Sequence, residues 1–436
     1  MPLSRRELLL SAAAWPALGA KQQAPRPNVV LILADGIGAW MLGINGNQDI
    51  RTPNLDLLAR TGTRFVRSLV CTPASSPSRA TLLTGRTPRR HGIQDALGPG
   101  EATPAAFAGQ RLLQDMLAGV GYRCGYAGRW DLGSAEKAPP SFSFWQTQAS
   151  TLQASTASAL AFLDQQKAGQ PFFLTLGYWL PEDPPAKYHE MYAAARFESI
   201  GWERPAANAA RGKEAFADVV GSLRQAAAAV TAVDDQIPPL LKKLDERGLR
   251  DDTLVIFTAT HGSLLGRHGL WDGAHGSEPV NMFEEVVAVP MIWSWRGKTP
   301  AEALRPELVS AYDLVPTLCE LLRAPVPAPG PGRSYLPAVL NQPFPKKQPW
   351  RNLVFGEFLD AEMARDKRYK MILRGGGRGP NELYDDINDA RERVNRYENP
   401  QFLSVRDALA AELEAWRKRP ENRKPDLGIP SPAPVS

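Results

Sequence analysis

Cysteine is scarce in this 436-residue chain: Cys71, Cys124 and Cys319 are the whole complement, an odd number with no CxxC or Cys/His spacing. They cannot all pair with one another, so a disulfide framework is not what holds the fold, and no zinc site is spelled out. Blocks of like charge are missing as well. Lys and Arg number 51 against 46 Asp and Glu, a net +5 with no run of five like charges. The pI of about 9.0 therefore suits at most a weakly anionic partner and carries no nucleic-acid signature. Beyond the first twenty residues no apolar run approaches the 18 or so needed to span a membrane. What is present, 43% hydrophobic and 22% charged residues, excludes disorder and a fibrous design, and the length suits one large domain with a smaller one.

The N-terminus has the order of an address. Ser4-Arg5-Arg6-Glu7-Leu8-Leu9 opens an apolar stretch reaching Ala20, and Ala17-Leu18-Gly19 supplies the small residues of a cleavage site. It resembles a twin-arginine export signal, which implies a bacterial protein placed in the periplasm or outside the cell. Residues 1–20 are accordingly excluded from the fold.

Three continuous apolar runs, Val29-Val30-Leu31-Ile32-Leu33, Phe172-Phe173-Leu174-Thr175-Leu176 and Leu254-Val255-Ile256-Phe257-Thr258, read as strands buried on both faces of a parallel sheet. Helical patterns lie between them. Thr52-Pro53-Asn54-Leu55-Asp56 opens a helix with an N-cap and a proline at its first position, stopping near Gly62. An Ala-rich stretch from about Lys213 to Arg247 reads as one long helix ended by Gly248. Alternating strands and helices predict an α/β fold: a large wound mixed or parallel sheet with helices on both faces, spanning residues 21–324. The Pro/Gly run 325–332 reads as a linker, and residues 333–436, with strand-like stretches near 353–358 and 369–373 and a helix near 405–416, as a small C-terminal α+β subdomain.

In open α/β sheets the site lies beyond the carboxyl ends of the strands. Asp35 follows the first strand and His261-Gly262 follow the strand at 254, so these should meet. Ser75-Ser76-Pro77-Ser78-Arg79 reads as a turn entering a helix, with Ser75 at the helix N-terminus and Arg79 one turn on, facing the same cavity. Taken singly, these are a capping Asp, a core His and a Ser/Pro turn. Their combination is more specific.

Together with Arg26-Pro27-Asn28, Arg51-Thr52-Pro53-Asn54-Leu55-Asp56, the block running on to Leu83-Thr84-Gly85, His268-Gly269-Leu270-Trp271, Tyr312-Asp313-Leu314-Val315-Pro316-Thr317 and Glu382-Leu383-Tyr384-Asp385, the chain resembles the sulfatase family of the alkaline-phosphatase-like superfamily. The resemblance implies a sulfuric ester hydrolase that uses a calcium-bound formylglycine made from Cys or Ser in a [Cys/Ser]-x-Pro-x-Arg signature. Ser75 stands at that position, and Cys71 lies four residues too early.

The departures from the family pattern fall on the site itself. The family's paired aspartates after the first strand are Asp35-Gly36 here, and the late Asp before His261 is Thr260. One remaining aspartate predicts weak or absent calcium binding. Among the expected sulfate-binding cations Arg79 and Arg129 remain, but Asp131, Glu182 and Gly273 stand where the family has His, His and Lys. Carboxylates beside a sulfate oppose its binding. The sequence therefore predicts a degenerate member with a binding role, with catalytic-position residues Ser75, Arg79 and His261, ligand-facing residues Arg129, Asp131 and Glu182, and an incomplete metal site at Asp35. Two alternatives stand beside it: an active serine-type sulfatase with formylglycine at Ser75, and a re-tasked hydrolase using Asp131 and Glu182 as an acid/base pair. The expected partner is a small-molecule or glycan ester, sulfated or not.

Overall fold

The computed structural model describes residues 26–98, 100–326 and 330–423. The export-signal segment and the middle of the Pro/Gly run lie outside the described residues. Eight strands form the main sheet: β1 (Asn28–Ala34), β2 (Thr63–Leu69), β3 (Arg123–Gly128), β4 (Phe142–Gln146), β5 (Phe172–Tyr178), β6 (Thr253–Ala259), β7 (Met291–Ser294) and β8 (Ala303–Ser310). Their order is β4-β3-β5-β1-β6-β7-β2-β8. All neighbours are parallel except β7, which runs antiparallel to both β6 and β2.

The strand at the centre shows why its sequence is apolar throughout. Val30, Ile32 and Ala34 pack into the core on one face of the sheet, and Val29, Leu31 and Leu33 into the core on the other. Helices supply both covers. The helix Pro53–Arg60 begins at the predicted proline but is capped from a distance: the Asn54 and Leu55 amides donate to the carboxylate of Asp234, at 3.1 and 2.7 Å. Thr52 contributes no side-chain cap to its own helix. Burial pushes the Asp234 carboxyl up, to about 6, against these donors.

The single long helix expected from Lys213 to Arg247 is instead three pieces: a 3-10 turn at Lys213–Asp218, then helices Val219–Asp234 and Ile237–Glu246. Pro238-Pro239 explain the second break, since prolines fit a first helical turn but not an interior one. Gly248 follows at φ +65, the left-handed stop expected of it.

A second, antiparallel sheet, β12-β11-β10-β9, comprises β9 (Val354–Phe358), β10 (Ala361–Arg365), β11 (Tyr369–Arg374) and β12 (Glu382–Asp385). The helix Leu403–Lys418 packs on it through Leu409, Leu413 and Trp416. Among the described residues no helix is long and apolar enough to cross a membrane. The three cysteines are buried and unpaired.

Candidate active site

The register Ala34↔Ala259 between β1 and β6 sets Asp35 beside Thr260 at the carboxyl edge of the sheet. Ser75 begins the helix Ser75–Thr84, after an extended Ala74 and with no side-chain cap. That helix is buried from Ser76 to Thr84 and ends at Gly85 in the left-handed region. Arg129 and Asp131 follow β3, and Glu182 follows β5, so all these residues come from loops at one end of the parallel strands.

Arg79, fully buried, crosses from the Ser75 helix to β1 and donates to Asp35 Oδ1 at 2.7 Å and to the Tyr126 hydroxyl at 2.9 Å. Thr260 donates to the same Asp35 oxygen at 2.6 Å. On the other side, Arg129 Nε lies 3.5 Å from Asp35 Oδ2 and Arg129 Nη2 donates to Asp131 Oδ1 at 3.2 Å. Tyr126 closes the set by donating to the Arg129 carbonyl at 2.7 Å, and Asp131 adopts the left-handed backbone, φ 60. Two guanidiniums face two carboxylates, so the group is electrically self-contained. Burial works against the Arg79 charge, but Asp35, helped by Tyr126 and Asp131, more than offsets it and raises the guanidinium pKa. Burial lifts the Tyr126 phenol to about 12, so it serves as a neutral hydrogen-bonding bridge.

This arrangement does not fit a calcium ion. Calcium takes six to eight oxygens, several of them anionic. Here Asp35 Oδ1 already accepts two donors, and although Asp35 Oδ2 has no hydrogen-bond partner, the nearest charged group to it is a guanidinium. Gly36 offers no carboxylate and sits at φ +82, where a side chain is strained; a Cβ there would also approach Leu180 Cδ1 to 3.1 Å. Among the described residues His261 makes no hydrogen bond or ion pair with Asp35: its Nδ1 lies 2.9 Å from the Gly262 carbonyl, and Gly273 packs against the ring. The expected meeting at the strand ends is thus between Asp35 and Thr260. The other close acidic trio, Glu284, Asp386 and Glu392, is filled by the side chains of Arg365 and Lys370.

Asp131 and Glu182 are engaged separately. Asp131 faces Arg129, while Glu182 is exposed on the wall of a cleft of about 550 Å3 that also takes in Ser263 and Trp271. Among the described residues no side-chain hydrogen bond engages Ser75, which is half-buried. Tyr126 and the Thr260 hydroxyl are functional neighbours that no motif announced; the one available signal for Tyr126 was its position three residues before Arg129.

A doubly covered, mostly parallel sheet with a serine at a helix start and an arginine beneath it is an architecture that several classes of hydrolase share. The comparisons narrow this. A family model described as Sulfatase matches residues 27–324, and one described as N-sulphoglucosamine sulphohydrolase, C-terminal, matches residues 266–419. The chain belongs to the sulfatase family. It is similar to human (Homo sapiens) arylsulfatase A, with 31% identity over 74% of this chain and 68% of that protein. Its fold is shared with a structure solved with its substrate D-glucosamine-2-N,6-O-disulfate (TM-score 0.76, 19% identity, 93% of this chain and 100% of that one). It is also shared with the phosphonate monoester hydrolase of Agrobacterium radiobacter (TM-score 0.74, 22% identity, 90% and 95%). The fold therefore carries more than one ester chemistry, and the site must decide.

Proposed function

We propose that this chain is an exported sulfatase-family protein whose catalytic pocket has become a binding pocket for a small-molecule or glycan ester, with little or no sulfate-ester hydrolysis. The observation that carries this reading is the closure of Asp35 by Arg79, Thr260 and Arg129. A calcium-dependent sulfatase needs Asp35 free for the metal and a surplus of positive charge for the sulfate. Here the one aspartate is committed to two arginines, and Asp131 cancels what remains. Ser75, without a metal or a neighbouring base, is a weak nucleophile. Export rests on the twin-arginine-like segment.

A second reading, a serine-type sulfatase with formylglycine at Ser75, is supported by one feature: Ser75 opens a helix with Arg79 one turn below, in a [Cys/Ser]-x-Pro-x-Arg signature. One experiment separates the two. Intact mass of the exported protein reports signal cleavage and oxidation of Ser75, and calorimetric calcium titration with an aryl-sulfate assay reports the metal site. An unoxidised Ser75, no sub-micromolar calcium binding and no turnover are expected. Calcium-dependent sulfate release abolished by Ser75→Ala would overturn the binding-pocket reading.

A further inference from the structure

Beside the Asp35 group, at the carboxyl ends of β5 and β6, the loops enclose the cleft of about 550 Å3 already met at Glu182. It touches the site directly: Ser263 lines it and donates to the Gly36 carbonyl at 3.1 Å, and Leu180, also on its wall, packs against Gly36. Its charge is one-sided. Glu182, Glu214 and Asp272 all face it, and no lysine, arginine or histidine is among its lining residues. Its remaining polar groups, Ser263 and Gln225 among them, are neutral hydrogen-bonding partners. An anionic guest would meet three like charges here, and a cationic one three opposite charges.

The cleft also has one rigid aromatic wall. Trp271 packs edge-to-face with Phe216, with ring centroids 5.9 Å apart at 79°, and against the backbone of Gly212, whose missing side chain would lie 3.0 Å from Trp271 Cβ. A packed indole on the wall of a polar cleft is a surface on which a sugar ring stacks, its C–H face on the ring and its hydroxyls left for Ser263 and Gln225. An extended polyamine has no such face to offer.

We infer that this cleft binds a glycan bearing free amino groups, an oligomer of unsubstituted glucosamine being the simplest case, and that it discriminates against sulfated or N-acylated sugars. This goes beyond the binding-pocket reading above: it assigns the neighbouring cleft a ligand that is an amino sugar and not an ester, and it rests on that reading only for the lack of hydrolysis at the Asp35 group.

The test is calorimetric titration of the full chain at low salt and about pH 6, where sugar amines are protonated. The ligands are a glucosamine hexamer, its fully N-acetylated and O-sulfated counterparts, and spermidine. The free-amine hexamer should bind at least about tenfold tighter than any of the others. Because Glu182 and Glu214 are exposed, their neutralisation leaves the fold intact: Glu182→Gln with Glu214→Gln should weaken hexamer binding about three- to tenfold, each exposed pair being worth up to about fivefold. Trp271→Phe should weaken the hexamer and leave spermidine unchanged. Equal or tighter binding of the acetylated or sulfated oligomer overturns the inference, and so does spermidine matching the hexamer with no effect of Trp271→Phe. Aryl-sulfate release assayed on the same preparation reports on the parent reading separately: turnover would sink that reading, whereas absent hexamer binding with no turnover would sink this inference alone.

Discussion

Two groups of buried charges in this molecule make opposite use of the same chemistry. At the carboxyl edge of the main sheet, Asp35, Asp131, Arg79 and Arg129 cancel one another, and Arg129 keeps 43% of its side chain exposed. Where the small sheet meets the short helix Glu284–Val287, Lys370 and Arg365 are enclosed by Glu284, Asp386 and Glu392. Lys370 is fully buried, with Glu392 Oε1 at 2.7 Å and Glu284 Oε2 at 3.3 Å. There three carboxylates face two cations, so one negative charge is left over in a dry place, and a proton is the cheapest way to remove it. Burial accordingly pushes the Glu392 carboxyl up, to about 8, against the pull of Lys370. A balanced group needs every member, whereas an unbalanced one has a charge to lose.

The largest test of that contrast is Asp35→Asn. It leaves the Arg79 guanidinium, 0% exposed, without its countercharge, and removing one partner of a buried pair costs about 3–5 kcal/mol. Glu392→Gln, which substitutes a neutral group for a carboxyl already raised, should cost far less at neutral pH. Denaturant midpoints of the two variants make the comparison, and equal losses would break it.

The next effect is in pH. Glu392 has its folded pKa raised, so its contribution is fully present below the usual glutamate range and is lost as pH rises through about 8. Tm should therefore fall as pH rises from the ordinary glutamate range to about 8 and level off above it, and Glu392→Gln should flatten that slope. A wild-type slope retained in the variant would assign the titration elsewhere. His91 works the other way: burial holds its folded imidazole down, to about 3, while the unfolded imidazole takes up a proton near pH 6.5, so its contribution rises with pH until about 6.5 and is flat above, and the Glu392 slope is read between about pH 7 and about pH 8.

Arg129→Gln should give the smallest change, within about 1 kcal/mol, because a partly exposed pair is screened by water. A larger loss in urea unfolding would mean that Arg129 braces Asp35 as firmly as Arg79 does.

The legibility of this chain followed burial. β1, β5 and β6 were readable because each is buried on both faces and so is apolar at every position. β7 was not, since four residues, Met291–Ser294, carry too little pattern to show direction. The break in the Ala-rich segment was written in Pro238-Pro239, but alanine's helical preference on either side masked it. At the site, the residue types at the motif positions, Gly36, Asp131, Glu182 and Thr260, were visible in the sequence. What they do instead was not, because Thr260 rather than His261 meets Asp35 only through the strand register. Tyr126 was hidden for a related reason: it sits inside a strand and has meaning only once Arg79 and Arg129 converge on its hydroxyl.

The left-handed backbone at Gly36 has a consequence for any redesign of the site. A carboxylate cannot simply be introduced at that position: any side chain there is strained by φ +82 and must push Leu180 aside. Leu180 also lines the neighbouring cleft, so a substitution at Gly36 would reshape that cleft as well as the Asp35 group. The two regions are mechanically one, and neither can be rebuilt alone.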